Sequence, residues 1–359
     1  MGRKINQTLI ALCCLLASCI QDKPPAIVNT AVPGGTGNVY IICQGALGNG
    51  NASLYAYDPA NDSIYGDIYK QANNQPLGDV FQSMIRIGSD FFLCVDNSNE
   101  IMIINAATKK NVASIPVPQP RYILPVSASK AYVSSLFHNK VYIINTQNYT
   151  LTDSITLPNQ NTEGMCLYNN NAVICTWDSL GNHIYMIDYT TDKLVQTIQV
   201  AGYTPQSVVV DKQQMLWVLG TGSFSGLPAT WTRLDPSTGD ILASYTFPAS
   251  AVPLGPVFNS TLDTIYYIEA NYSGGAANNG VYRMSIYDAG LPSQPLIPAL
   301  PLQYFYALGV SPVTGYLFVG DPLGFNQNGS LYIYKPDGTL VQSFIGKLGL
   351  GPGGFYFDE

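Results

Sequence analysis

From residue 38 onward the chain alternates short apolar runs with clusters of Gly, Pro, Asn, Asp and Ser, a pattern that predicts strands separated by tight connections. One kind of run is nearly all apolar: Val39-Tyr40-Ile41-Ile42, Phe91-Phe92-Leu93-Cys94, Ala131-Tyr132-Val133, Ala172-Val173-Ile174-Cys175, Leu216-Trp217-Val218-Leu219, Ile265-Tyr266-Tyr267-Ile268 and Tyr316-Leu317-Phe318-Val319. Each is followed by a second kind that closes on a polar residue: SLYAYD from Ser53, EIMIIN from Glu100, KVYIIN from Lys140, HIYMID from His183, TWTRLD from Thr230, VYRMSIYD from Val281 and SLYIYK from Ser330. A turn and a more polar strand come after most of these, as in TTDKLVQTIQV over 190–200. The unit recurs about every 40–52 residues, the period of a four-stranded propeller blade.

The strands that open each unit fix the blade count. Six are found, FQSMIRIG (81–88), RYILPVSA (121–128), TEGMCLYN (162–169), PQSVVVDK (205–212), PLGPVFNS (253–260) and FYALGVSP (305–312), against seven of the apolar kind. The run at Val39 lacks a partner unless the last residues, GPGGFYFDE (351–359), supply it. The expectation is an all-β, seven-bladed propeller over 38–359, closed by a C-terminal strand that covers two otherwise open sheet edges.

The first 37 residues read differently. Arg3 and Lys4 precede an apolar run from Leu9 to Leu16, the form of a secretory signal over 1–18 and too short to span a bilayer. Leu16-Ala17-Ser18-Cys19 looks like a bacterial lipobox, with Cys19 as the acylated residue, and residues 19–37 then form a Pro- and Gly-containing tether. Lipid anchoring at the outer membrane, facing the cell surface, is the localisation this implies. Charged residues make up only 11% of the chain while 25 are Tyr, which suits many short strands, and a net charge of −7 excludes a nucleic-acid partner. Cys43, Cys94, Cys166 and Cys175 sit in apolar runs as small hydrophobes; Cys166 and Cys175 would face each other across a turn at Asn170-Asn171, which leaves a disulfide open.

Two loop families meet on the face away from the tether: those joining second to third strands, and those joining one blade to the next. They mix aromatic rings with Asn, Gln and Ser, whereas the opposite turns are short and lack rings. Such a face suits a large, mostly neutral ligand or a protein partner. The candidate contact residues are Asn74, Asp79, Gln82, Asn97, Asn99, Arg121, Phe137, His138, Trp177, Asp178, Tyr203, Phe224, Tyr272, Tyr304, Phe305 and Phe325. No pair of carboxylates at a catalytic spacing, no nucleophile elbow, no phosphate loop and no cofactor motif is recognised. His138 and His183, the two histidines, lack an evident third metal ligand.

The copy HIYMIDYTTDKLVQTIQV (183–200) resembles the YncE-like propellers. NNQPLGDVFQSM (73–84) followed by DNSNEIMIINAATKK from Asp96 is more specific, and is similar to a group of Bacteroidota surface lipoproteins. The resemblance covers nearly all of 38–359. It implies a partner role beside a TonB-dependent outer-membrane transporter and, by likeness to BtuG-type members, capture of cobalamin. On that reading the protein is not an enzyme. A propeller hydrolase or lactonase with a central metal, and a protein-interaction scaffold, stay open as alternatives.

Overall fold

The computed structural model describes residues 37–222, 226–270 and 279–358. Its strands form seven four-stranded antiparallel sheets, each running from an innermost first strand to an outer fourth. Blades are numbered here in chain order. The first strands are Pro352–Phe357 in blade 1, then Phe81–Ile87, Pro120–Pro125, Thr162–Tyr168, Pro205–Val210, Val252–Phe258 and Ala307–Val310 in blades 2 to 7. Closure is as expected: Val39–Cys43 pairs with Pro352–Phe357 on one side and Ser53–Asp58 on the other.

The near-continuous apolar runs follow from this stacking. A second strand has neighbouring blades on both faces, so its odd and even residues are both buried. Phe91, Leu93 and Val95 join the core between blades 1 and 2, while Phe92 and Cys94 join the core between blades 2 and 3. Seven apolar clusters result, one at each junction. Fourth strands lie on the rim and are polar, with Thr150–Thr156 exposed along most of its length.

At the lower rim, six junctions are also tied by side chains from or to the third-to-fourth turn of the following blade. Asn73 Nδ2 donates to Lys109 O at 2.9 Å, Tyr149 OH to Asp90 Oδ2 at 2.9 Å, and Lys130 Nζ to Asp192 Oδ1 at 2.8 Å. Tyr245 OH donates to Asp288 O at 3.1 Å, Arg283 Nη1 to Pro336 O at 3.4 Å, and Gln342 to Asp62.

Two readings change. The segment expected as a loop between blades 1 and 2 begins with a helix, Ile68–Asn73, whose Tyr69 is buried and whose C-cap is Asn74 in the left-handed conformation. Cys166 pairs in register with Val173, and Tyr168 with Asn171, so the turn is at Asn169-Asn170 and Cys175 is two positions out of line. The four cysteines are free thiols. Burial pushes Cys43, Cys94 and Cys166 up to about 12, which keeps them protonated and unreactive.

Candidate functional site

The first strands enter the ring by a shared device. The residue before the strand is left-handed in five blades: Val80, Gln119, Asn161, Thr204 and Gly351, with φ of 59°, 40°, 57°, 53° and 61°. Val and Thr are β-branched and pay strain there, of order 1–3 kcal/mol. A β-bulge follows within the strand in every blade but blade 7. A bulge re-aims a side chain. In blades 2 to 5 it carries Gln82, Arg121, Glu163 and Gln206, all buried; in blades 6 and 1 it carries Gly255 and Gly353. The polar side chains thus form an arc over four consecutive blades.

Arg121 is the hub of that arc. Its Nε donates to Glu163 Oε1 at 2.9 Å, and its Nη1 donates to Gln82 Oε1 and to Asp96 Oδ2, both at 2.8 Å. Gln82 Nε2 donates in turn to Tyr122 OH at 2.8 Å. Arg121 is 1% exposed and Glu163 0%. Burial pushes the Asp96 carboxyl up, and the adjacent guanidinium pulls against that shift. The network clamps blades 2, 3 and 4 together.

A second knot joins the loops of blades 1, 2 and 3. Asp79 Oδ2 accepts from Gly48 N at 2.9 Å and from Asn97 Nδ2, while Asp79 N donates to Ser98 Oγ at 3.0 Å. Asn99 Oδ1 accepts from Gln119 N at 3.1 Å. Gly78, at φ +136°, is required here, since a Cβ would meet Ser98 Oγ at 2.6 Å and Val95 Cγ1 at 2.8 Å.

The expected contact residues divide accordingly. Phe137, Tyr203, Tyr304 and Phe325 are exposed, Phe137 at 55%, and Phe325 stands edge-on to Tyr306 with centroids 4.9 Å apart. Trp177 is half-buried, its Nε1 donating to Thr221 Oγ1 at 3.2 Å, and Asp178 Oδ2 accepts from Asn159 Nδ2 at 2.9 Å. His138 lies edge-on to Tyr142, while His183 opens the strand His183–Asp188. Asp79, Asn97 and Asn99 are on the face but committed to loop structure. Gln82 and Arg121 are sealed within the arc rather than offered to a surface ligand, because the bulge turns them inward. Phe305 is core, packed on Tyr332. Asn74 leaves the face: its neighbour Asn73 is bonded to Lys109 and Asn111 at a turn of the opposite side. Phe224, Tyr272 and Cys19 lie outside the described residues.

The face also has an aliphatic part, which aromatic content does not mark. Leu47, Leu180, Leu227, Leu300, Leu302 and Ile345 are exposed in the same loops, Leu302 at 85%. Among the described residues, with the four rings, ten large apolar side chains stand exposed on this face, against two, Tyr287 and Val313, in the turns of the other. Loop leucines carry no periodicity to mark them. Asp321, at the end of Leu317–Asp321, accepts from Leu323 N at 2.8 Å through Oδ1, while its Oδ2 is buried with no hydrogen-bond partner among the described residues. Burial pushes its carboxyl up. Among the described residues no three His, Cys, Asp or Glu side chains gather in a way that could hold a metal ion.

The class is therefore a seven-bladed β-propeller with an apolar-studded loop face above a buried polar arc. The chain belongs to the DUF5074 family, a domain of unknown function, whose model matches residues 37–343. No curated protein matches it. Among solved structures it is similar to a quinoprotein alcohol dehydrogenase-like protein from Bacteroides thetaiotaomicron, at 14% identity and a TM-score of 0.67, covering 90% of this chain and 78% of that one. It is also similar to Kuenenia stuttgartiensis hydrazine synthase, at 15% identity and a TM-score of 0.59 over 75% of this chain and 86% of that one. Virginiamycin B lyase from Staphylococcus aureus follows at 16% identity and 0.52, over 73% and 82%. At such identities the likeness concerns the fold alone.

Proposed function

We propose that the protein is a non-enzymatic binding propeller whose loop face captures a large, mostly neutral nutrient, a corrinoid such as cobalamin, and presents it to a TonB-dependent outer-membrane transporter from a lipid anchor at Cys19. The observation that carries this reading is the one-sided distribution of exposed apolar side chains. Contiguous apolar surface on one face marks a binding region rather than scattered surface hydrophobes. Neutral amides among rings and leucines suit a ligand that has both an apolar ring system and many hydrogen-bonding arms. The buried arc beneath gives that face a stiff floor, because it ties blades 2 to 4 together and holds Asp96 at the base of a blade 2 loop.

Titration of the purified protein with cyanocobalamin, followed by heat and by the visible absorption bands, tests the reading. Binding is expected, and Phe137→Ala combined with Phe325→Ala should weaken it by about tenfold or more without lowering the melting temperature, as loss of anchor side chains does. No binding at tens of micromolar would remove the corrinoid assignment. Metabolic labelling with a radioactive fatty acid, compared between wild type and Cys19→Ala, checks the anchor.

A further inference from the structure

One junction of the ring departs from the other six. The third-to-fourth turn of blade 5, Asp235 to Asp240, bonds only within itself: Asp235 Oδ1 accepts from Ser237, and Asp240 N donates to Thr238 Oγ1. Among the described residues no side-chain hydrogen bond or ion pair ties it to blade 4. In place of the tie is a groove of about 620 Å3, lined by both blades and running from Asn182 and Tyr203 near the loop face down to Gly239 and Asp240. That volume falls in the range of about 300–1,000 Å3 typical of small-molecule sites. Its floor is the rim strand Lys193–Gln199, in which Gln196 lies on the same face as Ile198 of the blade 4–5 core and beside Gly239.

The lining has a distinct chemistry. Two carboxamides (Asn182, Gln196), one carboxylate (Asp240) and a phenol ring (Tyr203) line it, with no Lys or Arg. At the other junctions some of the polar rim side chains form blade-to-blade bonds; among the described residues these four side chains make no hydrogen bond. Amides offer a donor and an acceptor each, and the carboxylate accepts twice over. The absence of cations disfavours phosphate and other anions. The ring supplies a flat apolar platform at one end. We propose that this groove is a second binding site, which meets the loop face only at Tyr203, for a neutral oligosaccharide lying along the height of the blade. Paired hydroxyls of successive sugars meet the amides and Asp240, and the C–H face of a terminal sugar lies on Tyr203.

Purified full-length protein titrated calorimetrically with cellohexaose, maltohexaose, xylohexaose and mannohexaose tests this. At least one should bind, and Gln196→Ala or Asp240→Ala should each weaken it about tenfold, equivalent to about 1.4 kcal/mol. Both positions are at the surface, so melting temperatures should stay unchanged, and Phe137→Ala on the loop face should leave sugar binding intact. The proposal is overturned if none of the four binds at millimolar concentration, or if binding ignores both groove variants. It is equally overturned if Phe137→Ala abolishes binding. Protection of the Lys193–Gln199 amides from exchange by an added extended peptide, with no sugar bound, would assign the groove to strand addition instead. Cyanocobalamin titrations of the same variants keep the two sites separable.

Discussion

A guanidinium shut away from water among Asp96, Glu163 and Gln82 has exchanged hydration for fixed, charge-assisted bonds. Replacing it strands two buried carboxylates. Arg121→Met should therefore lower stability by about 3–5 kcal/mol, read from the urea midpoint. Arg121→Lys should recover little of this, since an ammonium cannot fork between blades; full recovery would show that charge alone suffices. Asp321 makes the opposite case, a carboxylate raised by burial whose second oxygen has no hydrogen-bond partner among the described residues. A raised folded pKa means that the wild type gains stability as pH falls through that value toward the unfolded value of about 3.9, and loses it as pH rises. Asp321→Asn should accordingly stabilise the protein at pH 8, with the advantage shrinking on acidification. Parallel melting curves across pH would expose a constant difference, which would count against this account.

The element that links blades 1 and 2 shows how a short segment is fixed by its surroundings. The fourth strand of blade 1 is three residues long, Ser63–Tyr65, so the chain leaves the rim early. The helix Ile68–Asn73 then carries it to blade 2, and residues 74–80 climb the crevice between the blades. Gln75 Nε2 bonds Tyr69 OH at 2.9 Å part-way up, and Leu77 is buried. At the top the crevice closes on Gly78. Gly78→Ala combines an unfavourable φ with two close contacts, and should cost about 1–3 kcal/mol; an unaltered urea midpoint would show that the 96–99 loop yields freely. The motif that marks this chain's resemblance is therefore a device for joining two blades and three loops. That role needs no ligand.

At the scale of the ring, stability depends on closure. Arg86 Nη1 reaches both oxygens of Asp358 at 2.9 and 3.0 Å, but the pair is partly exposed and should be worth at most about 1 kcal/mol. The strand Pro352–Phe357 matters far more. It hydrogen-bonds Val39–Cys43 and brings Phe355 and Phe357 into the core shared by blades 7 and 1. Arg86→Ala should hardly move the melting temperature, whereas a chain ending at Gly351 should lose its cooperative transition or fail to accumulate as a soluble monomer. Retention of a sharp transition by the truncated chain would show that the ring holds without its last strand.

Blade number, strand order and ring closure were legible in the amino-acid sequence because they rest on local pattern: apolar runs, turn residues and their period travel with the chain itself. The exposed rings Phe137, Tyr203, Tyr304 and Phe325 were legible for the same reason, as large side chains in long polar loops. Tertiary structure decided the rest. IYKQAN carries too few apolar positions to announce a helix, and Asn73 is held by Lys109 and Asn111, beyond any local window. Gln82 and Arg121 read as first-strand residues at the edge of the loop face until a one-residue register shift turns them inward to meet each other 39 positions apart. Phe305 resembles its exposed neighbour Tyr304 in sequence, yet just before the strand it turns into the core and packs on Tyr332. The groove between blades 4 and 5 had no sequence signal, since a missing contact is visible only when the other six junctions can be compared in space.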